Sequence, residues 1–311
     1  MTAIEAVGTY LPEQRVPIED LAVRFGLTPM QIKVFRRYHK LGEVRRDPAG
    51  SLLDLLRGAV ANLTALRGQE HRVRHVIHAR TFPVVVPYPL NPVDELCREI
   101  GLAHASRFAV GHHACASGLL AIDVAGRLLA AGPDRDSDGL VLVLAGEKAF
   151  TGESQMVPET SFFGEGASAC LISLDGDRDR LVSYAADLHG EFDGDSMETA
   201  LAFQNGYADS LAEAILAAVG RAGLGIADIA LILPHNVNIV AWQRVCKRLG
   251  FPIADVVLDN VATAGHTFCA DAFINYRTAS DRGLLHPGEH YVVAAAGAGR
   301  GATYSAMVFE H

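Results

Sequence analysis

An α/β fold made of two similar halves is the architecture this sequence predicts, and three observations lead to it. Short apolar runs alternate with longer helix-patterned stretches along the whole chain, the grammar of a mainly parallel sheet covered on both faces. Thirty glycines among 311 residues, with half of the residues hydrophobic, suit close packing of helices on strands and a large core. The order strand, small-residue turn, long helix also occurs twice, over 110–131 and again over 257–282.

Taken in order, residues 4–7, 75–79, 108–111 and 140–145 are predicted as short buried strands, with helices over 51–66, 91–100 and 115–131 between them. The run Leu140-Val-Leu-Val-Leu-Ala has no polar alternation, as expected of a strand with both faces covered. The charged segment Asp175-Gly-Asp-Arg-Asp-Arg180 marks the crossing between halves. The two units are therefore expected at 1–174 and 175–311. Beyond the crossing come strand 181–186, helix 207–222, strand 229–233, helix 238–249, strand 256–258, helix 267–282 and strands 291–296 and 303–309.

Composition excludes several classes. A formal net charge of −9 lacks the basic footprint of a nucleic-acid binder. The start, Met1-Thr-Ala-Ile-Glu, shows no basic-then-apolar leader, and no apolar stretch reads as long enough for a membrane span. Five scattered cysteines, an odd number, fit free thiols in a reducing compartment. A cytoplasmic protein is expected, with neither nucleic acid nor membrane as partner.

Chemistry concentrates first at Arg107-Phe-Ala-Val-Gly-His-His-Ala-Cys-Ala-Ser-Gly. An apolar strand enters a turn of small residues, and a helix rich in Ala and Leu begins at or just after Cys115. A thiol at a helix N-terminus is favoured as thiolate, and Ala114, Ala116, Ser117 and Gly118 leave room for a substrate. Taken alone, such a cysteine is more often an inert core residue. Two partners change the balance. His235 follows an apolar strand in Ile232-Leu-Pro-His-Asn-Val-Asn, and His266 sits in the turn Ala264-Gly-His-Thr. Both lie at strand-to-helix corners, where α/β proteins assemble their sites.

Five strings carry a resemblance that covers nearly the whole chain from Gly8-Thr-Tyr-Leu-Pro-Glu onward. They are Ala114-Cys-Ala-Ser-Gly, Phe163-Gly-Glu-Gly-Ala-Ser-Ala, Pro234-His-Asn-Val-Asn, Ala264-Gly-His-Thr and Gly297-Ala-Gly-Arg-Gly. Their order resembles that of ketoacyl-ACP synthase III-like enzymes. The resemblance implies a five-layered αβαβα thiolase fold, a homodimer, and acyl carrier protein or acyl-coenzyme A thioesters as partners, with no cofactor and no metal. It implies Cys115 as acylated nucleophile, His235 and His266 as catalytic histidines, and Asn238 as a structural support. The Cys115 amide and one from Gly297, Ala298 or Gly299 would form the oxyanion hole.

Three departures refine the expectation. Type III synthases usually carry asparagine where this chain has His266. Gln31 stands where the family often has a tryptophan that stacks on adenine, which favours a carrier protein over free coenzyme A. The stretch 195–207 is compact, with Met197, Leu201 and Phe203 as acyl-pocket candidates. Arg244, Lys247 and Arg248 on the helix after His235 form a candidate docking surface for an acidic carrier. A solvated helix face is the plain alternative.

Two strings are set aside. Gly297-Ala-Gly-Arg-Gly-Ala fits a dinucleotide fingerprint by letters, but no helix or ribose-binding acid follows it. His286-Pro-Gly-Glu-His290 is a turn rather than a metal-binding helical face. His112 and His113 are expected to alternate sides of a strand end. Three functions follow in order: decarboxylative condensation of acyl-Cys115 with a malonyl-type thioester in fatty acid or polyketide-type biosynthesis; transfer of the acyl group to an oxygen or nitrogen nucleophile; a non-catalytic partner subunit.

Overall fold

The computed structural model describes residues 1–132, 138–152, 154–192, 197–299 and 301–311. In the first half the elements are β1 (Ala3–Tyr10), β2 (Arg15–Pro17), α1 (Ile18–Arg24), α2 (Pro29–Arg37), β3 (Glu43–Arg45), α3 (Leu52–Ala61), β4 (Val73–Ala79), α4 (Pro92–Glu99), β5 (Ser106–Val110), α5 (Ser117–Ala131), β6 (Leu140–Glu147), β7 (Met156–Val157), β8 (Ser161–Phe162) and β9 (Gly166–Ser173). The second half has β10 (Arg180–His189), α6 (Met197–Arg221), β11 (Ile229–Pro234), α7 (Ile239–Leu249), α8 (Asp271–Asp281), β12 (His290–Gly299) and β13 (Gly301–Glu310).

The strands run β5-β4-β6-β9-β1 on one side and β10-β13-β12-β11 on the other. The two sides are joined through one residue pair, Ala3 with Arg180. Each side repeats the other. The first-half strand β1 is antiparallel to β9, β9 to β6, and β6 is parallel to β4. Likewise β10 is antiparallel to β13, β13 to β12, and β12 is parallel to β11, so antiparallel pairings outnumber parallel ones where the sequence predicts a mainly parallel sheet. The position equivalent to β5 is a single parallel bridge, Val256 with Ile232, where the sequence predicts a strand over 256–258; Asp255 and Asp259 frame too short an apolar stretch to extend it.

Packing sorts the helices into layers. Helices α5 and α8 lie between the two sides, in one core with Ile77, Val143, Leu233 and Val293. The first side is covered outside by α3 and α4, the second by α6 and α7. The buried residues of α5, among them Gly118, Ala121, Ile122, Ala125 and Leu129, lie on one face of the helix. The expectation that no apolar stretch is long enough to span a membrane is corrected by composition: Ala114–Ala131 is long and apolar enough, and here it packs in the central layer. Helix α7 is also amphipathic, capped by Asn238 at its start and Gly250 in a left-handed conformation at its end.

Helix α6 and strand β9 show where the sequence reading falls short. Helix α6 begins at Met197, ten residues before the predicted start, because its first turns carry no continuous apolar stripe to announce them. Strand β9 escaped prediction, since Gly166-Ala-Ser-Ala reads as a turn until Cys170-Leu-Ile is seen to be wholly buried.

Candidate active site

Cys115 lies in a tight turn, Ala114–Ala116, between β5 and α5. His112 and His113 fall in that turn rather than on a strand, because β5 ends at Val110. Ala114 takes a left-handed φ of 44°, a conformation that small side chains tolerate best. Gly297, on β12, is what lets the turn come this close: a Cβ there would stand 2.1 Å from the His113 carbonyl oxygen. The end of β12 is thus packed directly under the Cys115 turn. Ala298 is exposed beside it and pairs with Ala302 across the β12–β13 hairpin, whose strand ends are Gly299 and Gly301.

The Cys115 sulfur is 6% exposed as a residue and has two polar neighbours. His266 Nε2 is 3.2 Å away, and the Thr81 hydroxyl donates to the sulfur at 3.5 Å. Thr81 Oγ1 is also 3.4 Å from the Cys269 sulfur. Cys269 donates to the Ala114 carbonyl at 3.2 Å, so the second thiol braces the strained turn. Behind Thr81, the buried Glu147 carboxylate accepts from the backbone N–H groups of Thr81 and Phe82 at 2.8 and 2.9 Å.

His266 is held by its backbone and by a carboxylate. Its N–H donates to Phe162 O at 3.0 Å, and its carbonyl accepts from Gly164 N at 2.9 Å. Gly265, at φ 72°, has Val44 Cγ1 within 2.7 Å of where a Cβ would stand, so glycine is required there. The imidazole stacks on Phe163 at 4.7 Å. Its Nδ1 is hydrogen-bonded to Asp271 Oδ2.

Asp271 opens α8 and is completely buried. Its oxygens accept from Thr267 N and Thr267 Oγ1, both at 2.6 Å, and from Asn236 N at 2.6 Å. Asn236 in turn accepts from Asn275 Nδ2 at 2.8 Å. Burial opposes ionisation of Asp271, but the charge and hydrogen bond of His266, with the Thr267 and Asn236 donors, bring its pKa below the usual value. For His266, burial disfavours the cation, yet the Asp271 and Cys115 charges and their hydrogen bonds outweigh it and raise the pKa to about 10. A line of Cys115, His266 and Asp271 results, in which a protonated imidazole faces the sulfur and a carboxylate orients the ring.

His235 has the opposite electrostatics. Burial first, then the charge on His266, lower its pKa to about 3, so it is neutral. Its ring lies 5.8 Å from that of His266, and its Nε2 is 2.8 Å from the Tyr207 hydroxyl.

The last 93 residues, 219–311, match the family model for the C terminal of 3-oxoacyl-[acyl-carrier-protein (ACP)] synthase III. The β-ketoacyl-[acyl-carrier-protein] synthase III of Nitratidesulfovibrio vulgaris is 26% identical over 95% of this chain and 94% of its own length. Among solved structures, the acyltransferase ChlB3 superposes with a TM-score of 0.84 at 19% identity, over 99% of this chain and 97% of its own. The synthase III of Thermus thermophilus does so at 0.81 and 22% identity, over 99% of each chain. The chain is thus similar to ketoacyl-ACP synthase III enzymes over nearly its whole length, and its C-terminal third matches their family model. Its five layers are those of the thiolase fold.

Within that fold, the other predicted residues fall into distinct places. Asn238 caps α7: its side chain accepts from Ala241 N at 2.8 Å and donates to Thr160 O at 3.0 Å. The acyl-pocket candidates are scattered. Leu201 is 51% exposed, Phe203 stacks on Tyr304 in the outer core of the second side, and the Met197 side chain lies outside the described residues. The apolar groups packed around Cys115 are instead Ala149, Phe163, Phe268, Phe82 and Val157. Buried Arg46 ties that cluster together by donating to Ala149 O and Phe163 O, each at 2.9 Å. Arg244 and Lys247 are exposed on α7, while Arg248 is paired with Asp209 of α6 at 2.5 Å. Asp271, Thr81 and Tyr207 were not singled out from the sequence. Asp271, five residues after His266, reads there as a simple helix-start acid, and no spacing marks the other two.

Proposed function

We propose that this protein takes an acyl group onto Cys115 from a carrier-protein or coenzyme A thioester and passes it to an oxygen or nitrogen nucleophile. The observation that carries this reading is the carboxylate behind His266. A histidine with Asp271 on Nδ1 and Cys115 beyond Nε2 is arranged to take and return protons, as in acyl transfer through a nucleophile–base–acid line.

In the first half-reaction the Cys115 thiolate attacks the donor carbonyl, a carbon–sulfur bond forms, and the donor thiolate leaves with the proton from His266. In the second, an acceptor O–H or N–H attacks the acyl-cysteine while His266 takes its proton, and the ester or amide departs from Cys115. The tetrahedral oxyanion is assigned to the Cys115 amide and the end of β12 at Gly297–Gly299, which Gly297 brings against the nucleophile turn. The cluster of Phe163, Phe268 and Phe82 is the apolar surface that would receive the acyl group. The exposed bases of α7 favour an acidic carrier protein as donor.

Decarboxylative condensation is the second reading, favoured by the synthase names of the relatives and by a second histidine beside the first. The deciding experiment offers acyl-carrier and acyl-coenzyme A donors together with either alcohols and amines or a malonyl thioester. Ester or amide formation with the malonyl thioester untouched supports transfer. Carbon dioxide release with a β-keto product establishes condensation in its place.

A further inference from the structure

Stabilising a thioester enolate asks for two hydrogen-bond donors on one oxygen. Two imidazoles are at hand, but they are not equally free. His266 Nε2 faces Cys115. His235 Nε2 faces the Tyr207 hydroxyl at 2.8 Å, and its Nδ1 has no hydrogen-bond partner. In either tautomer, Nε2 is engaged with the phenol: as acceptor it has no proton to give, and as donor its proton is already given.

The surroundings fix this arrangement. The His235 backbone N–H donates to Ala294 O at 3.1 Å, and its carbonyl accepts from Trp242 Nε1 at 2.9 Å. Its ring stands edge-on to Trp242 at 5.7 Å. Tyr207 is packed edge-on against Phe203 and Tyr304 at 5.9 and 6.3 Å. Both side chains are therefore wedged by aromatic neighbours, with the hydroxyl and Nε2 facing each other.

We propose that Tyr207 is the specificity-determining residue that withholds His235 from enolate chemistry, leaving His266 as the one imidazole directed at the reacting thioester. The proposal rests on the transfer reading and names the group that confines the site to it. In malonyl decarboxylation the bond from the α-carbon to the carboxylate breaks, carbon dioxide leaves, and the electron pair passes into the thioester enolate. The enolate then takes a proton from water, or attacks the acyl-Cys115 carbon so that a carbon–carbon bond forms and Cys115 leaves as thiolate. With His235 Nε2 released from the phenol, a second N–H becomes available to that enolate oxygen.

The test compares carbon dioxide release from a malonyl N-acetylcysteamine thioester by wild type, Tyr207→Phe, and Tyr207→Phe with His235→Ala. Melting curves and acylation of Cys115 are followed alongside to show that each variant is folded. Tyr207→Phe is expected to release carbon dioxide at least about tenfold faster than wild type, within the span of one added donor, and the double variant to return to the wild-type level. No rise in a folded Tyr207→Phe, or a rise that survives His235→Ala, overturns the proposal. Tyr207→Met, which keeps bulk without a hydroxyl, is read the same way if the phenylalanine variant does not fold. On the wild-type background, His235→Ala should lower transfer far less than His266→Ala, and equal losses also overturn it. A wild type that itself condenses malonyl thioester defeats the transfer reading. Intact transfer with an unresponsive Tyr207→Phe defeats only the role of Tyr207.

Discussion

Asp271 lies five positions after His266 in sequence and meets the far side of its imidazole, so the histidine facing Cys115 at 3.2 Å is oriented by the first residue of the next helix. Asp271→Asn keeps the size of the side chain but removes the charge that favours the imidazolium. Transfer from preloaded acyl-Cys115 should fall by about 100- to 10,000-fold, with the apparent pKa of His266 dropping as the Asp271 charge is lost. Single-turnover rates across pH check both, and a loss below tenfold would sink the assignment of Asp271.

Thr81 is expected to tune the nucleophile. Its hydroxyl is 3.5 Å from Cys115 and 3.4 Å from Cys269, and one hydrogen bond to a charged acceptor contributes about 1.5 kcal/mol. In Thr81→Val the rate of Cys115 alkylation at neutral pH should fall by about tenfold, with Thr81→Ser restoring it. An unchanged rate would mean that Thr81 only fills space.

Acylation should map to Cys115 alone. Cys269 is buried at the head of α8, with its thiol pushed well above the usual range by burial and by the Glu147 and Cys115 charges, so it stays protonated and unreactive. Peptide mapping after donor exposure should find the acyl mass on Cys115 and none on Cys97, Cys170, Cys246 or Cys269. Acylation that persists in Cys115→Ala would remove the mechanism.

Glu147 should make stability depend on pH. Burial, opposed by hydrogen bonds from Phe82 and Thr81, raises its carboxyl from 4.5 to about 7. A carboxyl raised in the folded state binds its proton more tightly there than in the unfolded chain. The resulting stabilisation is fully present below the unfolded value of 4.5 and is lost as pH rises through about 7, a change of about 3 kcal/mol. Glu147→Gln should flatten that slope while lowering stability overall, because an amide offers one acceptor oxygen to two backbone donors. Denaturant titrations across this pH window measure it, and an unchanged slope would refute the role of Glu147.

Docking of a carrier protein should depend on Arg244 and Lys247 more directly than on Arg248. Both are exposed on α7, whereas Arg248 is held by Asp209. Lys247→Glu should slow reaction with an acyl carrier protein, most at low salt, and leave short thioester mimics little affected. Equal slowing of both substrates would assign the residue to the fold.

Much of this architecture was legible in the chain itself. Apolar runs such as Leu140–Glu147 announce strands covered on both faces, and the repeated strand–turn–helix at Cys115 and His266 announces two similar halves. Cys115 and both histidines stand out because a polar or thiol side chain at a strand-to-helix corner leaves a local signature: small neighbours, a glycine, an apolar run on either side. The extent of α6, the strand β9 and the single bridge at Val256 left weaker signatures, since their boundaries depend on which neighbours cover them.

The roles of those residues toward one another were another matter. Sequence alone determined that Cys115, His235 and His266 would be brought to one edge of an α/β fold. Only the tertiary structure decided that His266 carries Asp271 on one nitrogen and Cys115 on the other, while His235 is tied to Tyr207, 28 residues before it. The physical reason lies in what each fact depends on. Strands and helices follow from periodicity within a short window, whereas charge state and free hydrogen-bonding capacity depend on burial and on partners from other elements, which no local pattern encodes.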